Sequence, residues 1–451
     1  MLTPIANRDS APSCASYWPR VREFAVPASM IETATARRLA GDWGGACAAA
    51  GVDVDFRLRA VARDHGTDVA AALRADLRRL APELLRWHLP RIAPDGLLRP
   101  GLTIALARYG PVRLVARTPP AGAETGQRVS LALWHGERED RHRSWHPHPR
   151  PSPRFRLDLH RHLWDAERAH ELRHRSGADR PPAPDPVPAG PYAVDRWAEE
   201  TAILLRAEGR PSGLAVARLD RRQRLLLELT GTGPDGSPGL RIAPATGSVG
   251  RTSAVPLLPD AATWVPPDLA LLRAGAIDAD RLHPLVAAAL APGRPAAASA
   301  PRPSDRPWDP RIVECRGARH RIGLVDGALA PLDHTPEEIR REELLAALSG
   351  TPLPCLQAVD RAHRRPDCLP GVRERLDHGD LPGALAMVED LLGPDAAVRN
   401  GDLRDELEDA VRGRIEHGLF RAGLFEPAPA PPPDTARPTG HRPRRRRRHS
   451  R

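Results

Sequence analysis

The chain has 451 residues, a formal charge of +10, 51 prolines, 36 glycines and 5 cysteines. At about 150 residues per domain, that length allows two or three domains with real cores. There is no lysine, so all 67 basic side chains are arginine; a P-loop lysine, a kinase lysine and a Schiff-base lysine are excluded with it.

Asparagine occurs only at Asn7 and Asn400, while residues with GC-rich codons abound. This is the composition of a GC-rich bacterial genome, which weakens arginine as a sign of nucleic-acid binding. Seven arginines lie between His441 and Arg451, and without them residues 1–440 carry only +3. The body is therefore nearly neutral, and the excess charge belongs to a tail. With 4% aromatic and 41% hydrophobic residues, the cores must be built of Leu, Val and Ala. No apolar run is long enough for a membrane span. The first twenty residues lack the apolar centre of a secretory signal, and Met30 is an alternative start. Cysteines at 14, 47, 315, 355 and 368 form no CxxC pair, so reduced thiols and a cytoplasmic location are expected.

Proline-rich stretches at 177–191 and 292–310 hold six prolines each and read as linkers. They divide the chain into an α+β unit at 1–176, a small α+β unit at 192–291, a hairpin-plus-helical unit at 311–425 and a disordered tail at 426–451. In the first unit, Val69, Leu73, Leu77, Leu80 and Leu84 make one helical stripe, with Thr67 placed to cap it. Alternating apolar residues predict antiparallel strands around Leu102–Leu106, Val112–Leu114, Val129–Leu133 and Phe155–Leu159, with a hairpin turn at Tyr109-Gly110-Pro111. The second unit predicts a helix over 192–208 that buries Trp197, Thr201, Leu204 and Leu205. Strands at 214–219 and 225–229 follow, then short helices to about Leu290.

In the third unit, Ile312–Cys315 and His320–Val325 read as a hairpin. Thr335-Pro336-Glu337-Glu338 is a capping box, and Gly350 is placed as a C-terminal cap. Asp402 is positioned to cap a last helix with a stripe of Leu403, Leu407, Val411, Ile415 and Leu419. Two segments echo each other: Gly41-Asp42 and Gly379-Asp380 each join two short helices. Two copies so far apart indicate a shared turn rather than a repeat array.

The sharpest motif is His170-Glu171-Leu172-Arg173-His174, which fits H-E-x-x-H. On one helical face both imidazoles reach a single Zn²⁺, with Glu171 as general base on the bound water. The pentapeptide resembles that of zincin metalloproteases, and the resemblance ends there. Arg173 and Arg175 intrude where that family has uncharged residues, and the metzincin third-ligand position falls on Arg180, one residue beyond Asp179. A more distant third ligand would have to be Glu199 or Glu200. Eight histidines lie between His135 and His174, a density that makes such a match easy to meet by chance, and residues 161–175 show no apolar stripe.

Weaker candidates surround it. His160 and His162 with Asp165 lack the fuller pattern of metallo-β-lactamase-like hydrolases. Gly231-Thr232-Gly233-Pro234-Asp235-Gly236 matches GxGxxG, but its prolines prevent the required helix start, so it reads as a hairpin loop. Cys355, His363 and Cys368, with Cys315 and His320, could assemble a zinc site, though the spacing fits no standard knuckle. Arg444, Arg445, Arg446, Arg447 and Arg448 would hold phosphates weakly, without sequence preference and with strong salt dependence. The expectation is an α+β, non-catalytic scaffold or accessory protein that binds other proteins and needs no cofactor. The enzymatic alternative is a zinc-dependent hydrolase using His170, Glu171 and His174, and a third reading is non-specific nucleic-acid binding through the tail.

Overall fold

The computed structural model describes residues 11–123, 126–136, 146, 148–181, 190–220, 223–232, 238–245, 255–293, 311–315, 317–326, 328–350, 352–393 and 397–424. The fold is α+β, with helices and, among the described residues, four separate small sheets. No described helix is long and apolar enough to cross a membrane.

The described residues begin with a mainly helical stretch: α1 (Ala11–Phe24), α2 (Ala28–Leu39), α3 (Trp43–Ala49), α4 (Leu58–His65), α5 (Thr67–Arg79) and α6 (Pro82–His88). Leu73, Leu77, Leu80 and Leu84 are all buried, as their spacing predicts. They span two helices rather than one, because Pro82 cannot continue α5 and instead starts α6. Thr67 is the first residue of α5, and its N-cap is Gly66 with no side-chain bond.

The strands β1 (Val52–Val54), β4 (Thr103–Tyr109), β5 (Val112–Arg117) and β6 (Val129–Trp134) form one sheet in the order β1-β6-β5-β4. The expected hairpin pairs β4 with β5, and β5 pairs antiparallel with β6. The sheet is mixed, not purely antiparallel, because β1 runs parallel to β6 with Val52 opposite Val129. A separate short hairpin joins β2 (Arg91–Ile92) to β3 (Leu97–Leu98). The expected strand at Phe155–Leu159 is absent. Ser152 N and Asp158 N instead bond the carbonyls of Thr103 and Ala105 along the edge of β4, so Phe155 and Leu157 are buried by an irregular segment.

The main core draws on residues from both sides of the first proline-rich stretch. Leu271, Ile277, Leu282, Val286 and Ala289 cluster with Leu73, Leu84, Ile104 and Leu131. A second core lies between α7 (Trp197–Ala207) and the three-stranded sheet β7 (Gly213–Arg218), β8 (Arg224–Thr232) and β9 (Pro238–Pro244), centred on Trp197, Leu204, Ala215 and Leu227. Residues 233–236 of the glycine motif lie outside the described residues, and the strands on either side pair antiparallel with Thr232 opposite Pro238. Helices α8 (Pro267–Arg273) and α9 (Pro284–Leu290) follow.

The last unit is the sheet β10 (Arg311–Cys315), β11 (Ala318–Val325) and β12 (Ala328–Pro331), then α10 (Pro336–Ser349), α11 (Pro354–Arg364), α12 (Leu369–Asp377), α13 (Leu381–Leu392) and α14 (Asp402–Arg421). The capping box at Thr335 and Glu338 is formed, and Gly350 ends α10 in the left-handed conformation at φ 73°. Asp402 is the first residue of α14, and Gly401 occupies the cap without a side-chain bond. The α14 stripe is only partly buried. Leu403 is covered, whereas Val411 and Ile415 are 51% and 58% exposed. The face α14 turns inward carries Gly413 and His417.

Candidate binding cleft

A cleft of about 680 Å³ opens between α4, the β5–β6 face and the end of α14. Ligand pockets fall typically in the range of about 300–1,000 Å³. Its apolar lining comes from Phe56, Val61, Val129, Leu133 and Phe420. Around these stand Arg57, Arg117, Arg128 and Arg421 against Asp55 and Asp64, so positive groups prevail. His65, His135, His146 and His417 complete the wall.

Asp53, at the centre of β1, organises one side. Arg128 donates to it from Nη2 at 2.6 Å and from Nε at 3.0 Å. Arg421 Nη1 lies 3.0 Å away and His417 Nε2 3.5 Å away. Burial pushes the Asp53 carboxyl up, but the bonds from His417 and Arg128 and the charges of Arg128 and Arg421 outweigh it, so it is held well below the usual carboxylate range. Arg421 also donates to Asp55, and Arg63 pairs with Asp64 at 2.9 Å. Arg57 has no carboxylate partner among the described residues. Its exposed guanidinium at the head of α4 is thus available to an incoming anion.

The imidazoles are held rather than free. The rings of His65 and His135 stack at 4.6 Å. His146 bonds the Thr118 carbonyl at 2.9 Å, and burial pulls it down to about 4. His417 Nδ1 donates to the Ala123 carbonyl at 3.3 Å. The arrangement provides an apolar floor, fixed polar walls and a surplus of guanidinium.

The H-E-x-x-H residues lie elsewhere, and no continuous helix carries them. Residues Ala169–Glu171 are a 3₁₀ turn, and Leu172–Arg175 is a single helical turn. His170 is exposed and bonded through Nδ1 to the Glu167 carbonyl at 2.9 Å. Glu171 is tied to Arg168 at 2.6 Å. His174 meets Asp179 at 2.9 Å and Glu199 at 3.4 Å, both considered as third ligands. Glu199 is in turn held by Arg180 and Arg196, so His174 belongs to a surface charge network that anchors α7. Among the described residues, neither His170 nor His174 belongs to a three-ligand cluster.

The other candidates separate likewise. His160 and His162 are buried edge to face at 5.7 Å, with Arg175 Nη2 at 3.1 Å from His160. Asp165 instead faces Arg79 and Arg161. Cys315 and Cys355 do come together, but their imidazole partner is His334, while His363 and Cys368 are not part of that group. The tail arginines Arg444 to Arg448 lie outside the described residues. The cleft itself escaped sequence reasoning, because its walls come from residues up to 366 positions apart, as Asp55 and Arg421 are. The chain matches no family model, no curated protein and no solved structure.

Proposed function

We propose that the protein is a non-catalytic binding protein whose cleft receives an acidic, partly aliphatic segment of a partner protein. The observation that carries this is the pairing of an apolar floor at Phe56, Leu133 and Phe420 with the exposed Arg57 at its margin. Aliphatic side chains gain by leaving water on such a floor, at roughly 25 cal/mol per Å². Carboxylates beside them gain charge-assisted bonds from guanidinium groups. A bare phosphate backbone would use the arginines but leave the floor uncovered, which favours the protein segment over nucleic acid.

The test is selection of random peptides on the full-length protein. Enrichment of sequences that combine Asp or Glu with Leu, Ile or Val, lost with R57E, supports the reading. Enrichment of basic or purely polar sequences, or of acidic ones indifferent to R57E, contradicts it. So does a generic RNA that displaces the selected peptide.

A further inference from the structure

We propose that Cys315, His334 and Cys355 form a zinc site that staples the C-terminal unit. The two sulfurs and an imidazole nitrogen all lie within 4.8 Å of one another. Zn–S distances of about 2.3 Å and Zn–N distances of about 2.0–2.1 Å put tetrahedral ligands about 3.5–3.8 Å apart, so small side-chain rotations bring these three donors onto one ion.

Each ligand comes from a different element. Cys315 ends β10, paired with Ala318 across the hairpin turn. Cys355 is the second residue of α11, just after Pro354. His334 immediately precedes Thr335, the N-cap of α10. A metal here joins sheet, first helix and second helix at one point. No spacing rule connects these positions, since 18 and 20 residues separate them in sequence.

The donors are buried and, in the imidazole's case, short of partners. Cys315 and Cys355 are 1% and 0% exposed, lying against Leu353 with Val313 and Leu356. The His334 side chain is 12% exposed, and its Nε2 is buried with no hydrogen-bond partner. Glu338 Oε2 stands 3.9 Å from His334 Nδ1, on the side where a carboxylate orients a metal-bound imidazole. The ring of His320 lies parallel to that of His334 at 4.4 Å and fixes its plane. Two thiols and an imidazole are a soft donor set suited to Zn²⁺. Binding releases one proton from each thiol; Zn²⁺ with two thiolates and a neutral imidazole then carries no net charge, so its burial leaves none uncompensated.

The unit also has a use for such a staple. None of the residues of α10 described is buried, and Leu344 and Leu348 are 64% and 87% exposed. An isolated helix of that length is marginal in water, and small units with thin cores commonly rely on a metal. The ligand His334 sits where α10 begins and would hold its start in place.

The test uses full-length, untagged protein, kept reduced, loaded by dialysis against zinc and desalted. Native mass spectrometry should then find one zinc per chain. C315S/C355S should carry none, while H170A/H174A should carry as much as the unaltered protein. Should the serine variant fail to fold, Co²⁺ titration of the unaltered protein decides: thiolate-to-cobalt charge transfer and intense tetrahedral bands are expected. A zinc-free protein, zinc retained by C315S/C355S, or cobalt bound without thiolate bands would overturn the assignment. So would a Cys315–Cys355 disulfide in freshly isolated protein.

Discussion

Arg86 donates from Nη2 to the carbonyl of His378 at 2.8 Å, across 292 residues of sequence. The same guanidinium, 1% exposed, also bonds the Ala25 carbonyl at 3.0 Å and the Gln127 carbonyl at 2.5 Å. It therefore joins the N-terminal helices and the approach to β6 to the turn before α13. Alanine here leaves three buried carbonyls unsatisfied, each costing about 1–3 kcal/mol. Arg86→Ala should lower stability by about 3 kcal/mol or more in urea denaturation, and a loss below about 1 kcal/mol would refute this role.

Asp53 is expected to be a pH-dependent fastening for α14. Its carboxyl is held below the ordinary range in the folded protein. Its contribution is therefore full above the unfolded value of about 3.9 and is lost as pH falls through the lower folded value. Asp53→Asn should destabilise the protein at pH 7, and the difference from the unaltered chain should narrow below about pH 4. A difference that stays constant between pH 7 and pH 3 would contradict it.

The buried histidines act in the same direction as Asp53 but in a higher pH window. Burial pulls His88, His146 and His160 down to about 4, and His283 and His378 to about 3. Below about pH 6.5 the unfolded chain binds protons that these rings refuse, so folding stability must fall as pH drops from there. Each ring contributes up to about 1.4 kcal/mol per pH unit. Glu83 and Asp260, whose carboxyls burial pushes up, oppose the trend but are outnumbered. Denaturation midpoints should be lower at pH 5 than at pH 7; equal midpoints would count against this.

Asp42 and Asp380 show how far a local echo in sequence reaches. Both cap a helix by accepting from the backbone N–H three residues on, at Gly45 and Gly383. Both follow a glycine of positive φ, 78° at Gly41 and 82° at Gly379, and both pair with the arginine five residues earlier. Asp380 is 2% exposed and its Arg375 bond is 2.6 Å, whereas the Asp42 side chain is 44% exposed and its Arg37 bond 3.2 Å. Asp380→Ala should therefore cost about 2 kcal/mol and Asp42→Ala about 1 kcal/mol or less. Equal costs in thermal unfolding would show that burial does not set the difference.

What the sequence made legible was local. The β4–β5 hairpin, the capping box at Thr335 and the buried face of α7 each depend on residues within a few positions of one another. The strand β1 was not legible, because three residues show no period, and its place is set by pairing with Val129 far along the chain. The Phe155–Leu159 alternation misled because apolar residues packed on the edge of β4 alternate like a strand without a ladder. In H-E-x-x-H the spacing was present but the continuous helix was not, and Arg168 and the Glu167 carbonyl hold the side chains of Glu171 and His170. Cys315 and Cys355 could be suspected from their type, but His334 could be found only once β10, α10 and α11 were in place.

The proposed acidic-segment site is built on Arg57 and its apolar floor. The most direct measurement is fluorescence anisotropy of a selected Glu- and Leu-containing peptide against the full chain, with R57E beside it. Binding to R57E should be at least tenfold weaker, equivalent to about 1.4 kcal/mol, and binding to the unaltered protein should weaken with salt. Equal affinity for the two proteins would contradict it.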